Sequence, residues 1–253
     1  MSFEVVADAY GRFMGRYAEP LAAAFVEFAG LRPGRRVLDV GCGPGALSAR
    51  LVPLLGAEAV AAVDPSETFV AAARSRLPGV DVRLAVAEDL PFDGDTFDAA
   101  LAQLVVHFMA DPVAGLGEMA RVTRPGGVVA ACVWDHAGDG SPLSVFWRAV
   151  NTLDPDAHDE SALAGAREGH LAELLSAAGL RDITSTALTV RVRFATFDEW
   201  WSPYTLGVGP AGDYVQRLDP ARLATLKDRC ASYFPATGPF EVAATAWAAS
   251  GRP

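Results

Sequence analysis

The run Val37-Leu38-Asp39-Val40-Gly41-Cys42-Gly43-Pro44-Gly45 constrains this chain more than any other, because an apolar strand passes directly into a glycine loop. A second acid, Asp64, follows at the end of the next strand. Glycines at 41, 43 and 45 remove the Cβ atoms that would hold the backbone away from a ligand, and they allow the dihedrals of a tight strand-to-helix turn. A carboxylate about twenty residues further on sits where a doubly wound sheet can offer it to a ribose diol. The spacing alone is ambiguous, since with 24 glycines in the chain a bare GxGxG is mostly turn chemistry. Context strengthens it. Val37 to Val40 reads as a buried strand, and Ala46 to Leu55 sets Leu47, Leu51, Leu54 and Leu55 on one helical face. Pro53 inside that helix predicts a short or bent element, because proline lacks the N–H donor.

Alternating strands and helices organise the remainder. Leu21, Phe25 and Phe28 mark an N-terminal helix that Arg32-Pro33-Gly34 ends. Val80, Val82, Leu84 and Val86 alternate as a third strand. Asp111 as N-cap with Pro112 behind it opens a helix that stops at Arg124-Pro125-Gly126-Gly127, and Val128 to Val133 forms a fifth strand. Leu171, Leu174, Leu175 and Ala178 share a face ahead of Gly179. Leu188, Val190, Val192 and Phe194 alternate with Thr189, Arg191 and Arg193, and Phe240, Val242, Ala244 and Ala246 alternate likewise, so two strands with one wet face would close the sheet.

A chain of 253 residues with 51% hydrophobic content can bury a large core. Its net charge of −10 argues against nucleic acid, whose phosphates need a basic surface. The start, MSFEVVADAY, has Glu4 and Asp8 and no basic-then-apolar pattern, so no signal peptide is expected there. The apolar stretch near 99 to 110 is interrupted by Gln103 and His107 and is too short to span a bilayer; a soluble, cytoplasmic protein without membrane insertion is expected. Cys42, Cys132 and Cys230 lack the paired spacing of metal ligands or a redox dithiol, and no metal site is expected. Cys42 would contribute its backbone, with a reactive thiol as the alternative.

Four blocks together resemble the class I S-adenosylmethionine (SAM) dependent methyltransferases, within them the small-molecule group related to the ubiquinone and menaquinone methyltransferases. They are VLDVGCGPG at 37 to 45, VDPS at 63 to 66, AEDLPF at 87 to 92 with FDAALAQLVVHF at 97 to 108, and RVTRPGG at 121 to 127. The resemblance covers residues 30 to 135 and is weaker beyond. It implies an α/β fold: a doubly wound, Rossmann-like, seven-stranded sheet with an antiparallel last strand, here with a small helical cap. It also implies roles. Asp39 would hold the methionine amino group directly or through water, with Gly41 and Gly43 running beneath it. Asp64 would grip the ribose hydroxyls and Pro65 would lie against the adenine face. Ala87 and Glu88 would offer backbone groups to the adenine edge, and Gln103 would border the sulfonium and its methyl group. Val86 stands where many relatives carry an aspartate, so the adenine amino group must be met by backbone, Glu88, another side chain or water.

The organisation expected is a SAM-binding core with N-terminal helices at 1–135, an insertion at 136–168, the end of the core sheet at 169–194 and 239–253, and a helical cap or substrate lid at 195–238. The aromatics Trp201 and Tyr204 in the cap, with Trp134 at the fifth strand's end, are the substrate candidates, implying an apolar small molecule, aromatic ones included. The competing reading is that such rings only anchor the cap. Methyl transfer is an in-line displacement needing a base only if the nucleophile must lose a proton. His107 is the catalytic candidate, with a structural or cofactor-adjacent role set against it; Asp135 and His136 are weaker candidates, and His158 and His170 are assigned nothing. Two other readings stand beside a methyltransferase: a SAM-binding protein that transfers no methyl group or uses the cofactor otherwise, and a nicotinamide-dependent reductase, against which the RPGG turn and antiparallel last strand speak. The residues do not specify an oligomeric state.

Overall fold

Seven strands form one mixed sheet in a computed structural model that describes residues 11–157, 159–207 and 209–253. In chain order these are β1 (Val37–Val40), β2 (Val60–Asp64), β3 (Asp81–Leu84), β4 (Phe97–Gln103), β5 (Thr123–Trp134), β6 (Arg181–Phe194) and β7 (Phe240–Arg252). Their order across the sheet is β3-β2-β1-β4-β5-β7-β6. The first five run parallel, and β7 inserts antiparallel between β5 and β6, with Cys132 opposite Ala248 and Val192 opposite Val242. The chain reverses spatial direction at β1, so β1 and β4 leave a crevice at their carboxyl ends, where α/β sheets bind ligands.

Helices cover both faces, and the strand residues alternate to meet them. Leu101, Ala130, Cys132 and Ala248 face α1 (Arg16–Phe28) and α2 (Ala46–Leu55), burying Leu21, Phe25, Leu47 and Leu51. Leu38, Val40, Ala100 and Val129 face the other way, toward Leu116 and Met119 of α4 (Pro112–Val122) and Leu171 and Leu175 of α6 (His170–Ala177). A third helix, α3 (Glu67–Arg76), follows β2 and buries Val70 and Ala73. Each of these side chains contributes about 1.5–3 kcal/mol by leaving water if large and aliphatic. Asp111 caps α4 by accepting from the N–H groups of Val113 and Ala114, both at 3.0 Å.

Two sequence expectations change in detail and a third holds. The third strand ends at Leu84, which is exposed because β3 is a sheet edge, and Val86 lies beyond it, 46% exposed; only Val82 of the alternating set is buried within the strand. Helix α2 runs over Ala46–Leu55 as expected, a short element that ends two residues past Pro53. The Arg124–Gly127 segment is a bulge inside β5: Thr123 already pairs with Phe97, and pairing resumes at Val128 with Ala99. A Cβ at Gly127 would lie 2.7 Å from the Asp98 carbonyl oxygen, so that bulge requires glycine.

Between β5 and β6 lies α5 (Ser144–Leu153), and between β6 and β7 lie α7 (Phe197–Trp201), α8 (Gly209–Gln216) and α9 (Pro220–Ala231). They meet over the α1 side of the sheet in an aromatic cluster. Tyr204 stacks on Phe146 at 4.7 Å between ring centroids, meets Phe13 edge-on at 4.9 Å and approaches Trp200 at 4.8 Å. Such contacts add about 0.5–1.5 kcal/mol per pair beyond burial. Among the described residues no helix is long and apolar enough to cross a membrane. Tyr204→Ala is expected to cost about 3–5 kcal/mol of stability, the range for truncating a large buried aromatic side chain. A calorimetric melt would show a fall of roughly 2–4 °C per kcal/mol, and an unchanged melting temperature would contradict the packing role.

Candidate active site

The glycine loop folds over the end of β2 because the N–H groups of Gly41 and Cys42 both donate to the Val63 carbonyl, at 2.8 and 2.9 Å. Gly41, Gly43 and Gly45 all have positive φ, at 70°, 53° and 89°. A Cβ on Gly41 would lie 2.4 Å from a Val105 methyl, so that glycine answers to packing as well as to conformation. At Gly43 nothing lies within 4 Å of such a Cβ. The loop is closest to open space there.

Asp64 fixes this geometry. Its Oδ2 accepts from the Gly43 N–H at 2.8 Å and its Oδ1 from the Ser66 N–H at 2.9 Å, while Ser66 Oγ caps α3 by accepting from Phe69 N–H. One lobe of each oxygen therefore stays available for a further donor. Asp39 is almost fully buried and accepts from Ser48 Oγ at 2.6 Å. Burial raises its pKa to about 7; the Ser48 bonds oppose that rise and the charge of Asp64 adds to it. Burial also raises Asp64, against the two backbone donors.

These groups line one cavity of about 630 Å³. Asp39, Gly41, Gly43, Asp64, Pro65, Ala87, Glu88 and Gln103 all contribute to its wall. All eight residues expected at a cofactor thus share one space. Glu88 also accepts from the Asp111 N–H at 3.1 Å, tying the wall to the start of α4. Gln103 donates its Nε2 to the Ala18 carbonyl at 2.9 Å. Sequence reasoning missed Ala18, Val105, Phe108 and Met109 and, from the cap side, Gly207, Gly209 and Asp213. Phe108 carried a signal in the same block as His107, whereas a cap residue such as Asp213 carried none.

The catalytic and substrate candidates lie elsewhere. His107 is absent from the cavity wall; its ring lies against Phe108, with centroids 3.9 Å apart, and 6.0 Å from His136. Burial, with His136 nearby, pushes its pKa down to about 3, so at neutral pH it is an uncharged and weak base. His136 is lowered to about 4 by burial. Asp135 accepts from Gly138 N–H and Trp247 Nε1, an architectural duty. Trp201, Tyr204 and Trp134 are all buried in the core cluster and none reaches the cavity, because large rings gain more from one another than from a solvent-filled space. The substrate wall expected of them gives way to an anchoring position. The thiol of Cys42 is buried and its pKa pushed up, first by burial and then by Asp39 and Asp64, which removes the reactive-thiol alternative. His158 lies outside the described residues, as does Val208 in the segment 195–238 expected as a cap.

Residues 38–131 match the family model described as a methyltransferase domain. Over 176 residues the chain is 34% identical to a malonyl-[acyl-carrier protein] O-methyltransferase of Salmonella typhimurium, covering 65% of this chain and 69% of that one. It belongs to the SAM-dependent methyltransferases. A demethylmenaquinone methyltransferase of Clavibacter sepedonicus is 42% identical over 39% of this chain and 41% of its own length. For several other curated relatives the matched region spans about half of their length. The solved YcgJ protein of Bacillus subtilis, at 19% identity, superposes with a TM-score of 0.60 over 91% of this chain and 97% of its own, which speaks to fold.

The cavity fits the cofactor of this methyltransferase family, SAM. A sulfonium and an ammonium are cations, and Asp39 and Asp64 are acids whose burial has left them short of a compensating positive charge. Since the ionised Asp39 would receive the ammonium, cofactor affinity should depend on pH. With a ligand-free pKa of about 7, Asp39 is mostly protonated below that pH and mostly ionised above it. Calorimetry with S-adenosylhomocysteine should therefore show Kd rising toward about tenfold per pH unit below about 7 and level above it. A flat profile across that range would remove Asp39 as the ammonium partner.

Proposed function

We propose that this chain transfers the methyl group of SAM to an apolar small molecule held beneath the cap. The observation that carries this is the cavity in which the glycine loop and both acids share a space with cap residues Gly207, Gly209 and Asp213. Bound there, the cofactor supplies an electrophilic methyl group on a sulfonium. The chain's own contribution is placement. Asp64, held by two backbone donors, would orient the ribose; Asp39 would orient the amino-acid end; Pro65, Ala87 and the half-exposed Val86 and Phe108 would enclose the adenine. With no carboxylate at Val86, the adenine amino group would be met by backbone, Glu88, another side chain or water. Holding the attacking atom about 3–3.5 Å from the methyl carbon supplies much of the rate enhancement. The acidic lining and net charge of −10 favour a small molecule over nucleic acid.

His107, away from the cavity wall and weakly basic, is assigned a supporting role behind Phe108, so any proton released by the substrate leaves to water. Incubation with methyl-labelled SAM and a panel of alcohols, phenols and amines should yield S-adenosylhomocysteine and labelled product. Cofactor binding without turnover on any such panel would favour a protein that uses SAM for other chemistry. His107→Ala should retain measurable turnover, lowered by about tenfold to a hundredfold if the ring shapes the wall. Abolished turnover with normal folding and cofactor affinity would restore it as the base. Asp64→Ala should weaken S-adenosylhomocysteine by about 1.5–3 kcal/mol, the range for hydrogen bonds to a charged group, and calorimetry showing unchanged affinity would overturn the ribose assignment.

A further inference from the structure

Helix α8 of the cap meets the cavity along one face. Gly209 and Asp213, four residues apart, share that face, and both line the cavity. Glycine brings no side chain, so Asp213 is what α8 offers to a ligand. Ala211, Gly212 and Val215 lie on the opposite side and are buried. The helix is held firmly there. A Cβ on Gly212 would lie 2.6 Å from the Gly207 carbonyl carbon, so α8 rests directly on the backbone that precedes it. Tyr214 packs against Phe146 and Trp147, with centroids 6.3 and 6.1 Å away, and its hydroxyl donates to Asp154 Oδ2 at 3.4 Å. Asp213 is therefore carried on a packed helix.

Its chemistry differs from that of the core acids. Asp39 accepts from Ser48, Asp64 from two backbone N–H groups, and Glu88 from the Asp111 N–H. The half-buried Asp213 carboxylate accepts no hydrogen bond and joins no ion pair among the described residues. Nor does a lysine, arginine or histidine among the described residues line the cavity, whose acids include Glu67 as well. A wall of one sign draws a cation. The residues expected at the cofactor all come from positions 39 to 103 of the core, whereas Asp213 enters from the connection between β6 and β7. It is left for the other reactant.

Resting on the methyltransferase reading above, we propose that Asp213 receives an ammonium group of the methyl acceptor. The substrate is then an amine with an apolar body, which Leu47, Leu104, Val105 and Met109 of the same wall can cover. An ammonium has no lone pair with which to attack, so the atom that takes the methyl group is a second one, and Asp213 acts by positioning and selection. Anionic substrates are repelled by the same wall.

Calorimetry on the full chain saturated with S-adenosylhomocysteine tests this with three probes of similar shape. Phenethylamine is the cation, phenethyl alcohol the neutral form and phenylacetate the anion. The amine should bind about tenfold or more tighter than the alcohol, as for one hydrogen bond to a charged group, and phenylacetate should bind weakest. Asp213→Asn should weaken the amine by about tenfold while the alcohol and S-adenosylhomocysteine change by less than about threefold. Asp213→Glu, which keeps the charge, should keep the preference for the amine, and it answers the question if the asparagine variant folds poorly. An unmodified complex that binds the amine no better than the alcohol, or not at all, would overturn the proposal. An equal loss of S-adenosylhomocysteine in Asp213→Asn would overturn it by moving the acid to the cofactor, and an unchanged amine affinity would overturn it by leaving Asp213 a solvated acid at the rim. Failure of the unmodified chain to bind S-adenosylhomocysteine would instead remove the cofactor reading on which it rests.

Discussion

Asp64 accepts one backbone N–H from the glycine loop and another from the residue that caps α3, and the whole carboxyl end of the sheet depends on that double hold. Without it the loop would keep its bonds to the Val63 carbonyl and from Gly45 N–H to the Cys42 carbonyl, but the N–H of Gly43, a residue of positive φ with open surroundings, would lose its acceptor. The carboxylate therefore shapes the site before it meets any ligand. A carboxylate held in this way needs little reorganisation to accept a further donor.

The fold was legible because its signals are local and repeated. Val37 to Val40 followed by a glycine loop, Asp111 before Pro112, and the alternation from Leu188 to Phe194 each report a backbone need that a few neighbouring residues can meet. That Asp39, Gly41, Gly43 and Asp64 line one cavity was legible for the same reason, since they lie at the ends of two adjacent strands or in the loop that follows the first of them. What the sequence hid depends on packing between distant segments. Trp134, Trp201 and Tyr204 look the same in sequence whether they line a pocket or fill a core, and only the convergence of Phe13, Phe146 and Trp200 on Tyr204 separates the two. His107 was misplaced for a similar reason. One residue of offset on the Val106–Phe108 turn sends Phe108 to the cavity wall and the imidazole away from it.

Helix α1 joins the two halves of the site. Ala18 receives the Gln103 amide, while Phe13, just ahead of the helix, packs edge-on against Tyr204 in the cap. The floor and the roof thus share one rigid element, and a substitution in the aromatic cluster acts on the cavity through its supports rather than by direct contact. The insertion between β5 and α6 is fastened to the same cluster by Trp147, whose indole N–H donates to the buried Glu160 at 2.8 Å. Burial raises the Glu160 pKa to about 7, against the Trp147 bond.

Strand β6 closes the sheet with a run from Arg181 to Phe194 that, among the described residues, has no strand on its outer side. A free edge of that length is an invitation for sheets of separate molecules to join end to end. Here Asp182 adopts a positive φ of 51° where the pairing with β7 shifts register, which bends one end of the edge away from a straight template. At the other end Arg191 and Arg193 stand exposed with like charge, so a second copy approaching in antiparallel register would bring guanidinium against guanidinium. The same strand that completes the core from within therefore carries on its outer side a bend and a pair of like charges that disfavour a further strand from without.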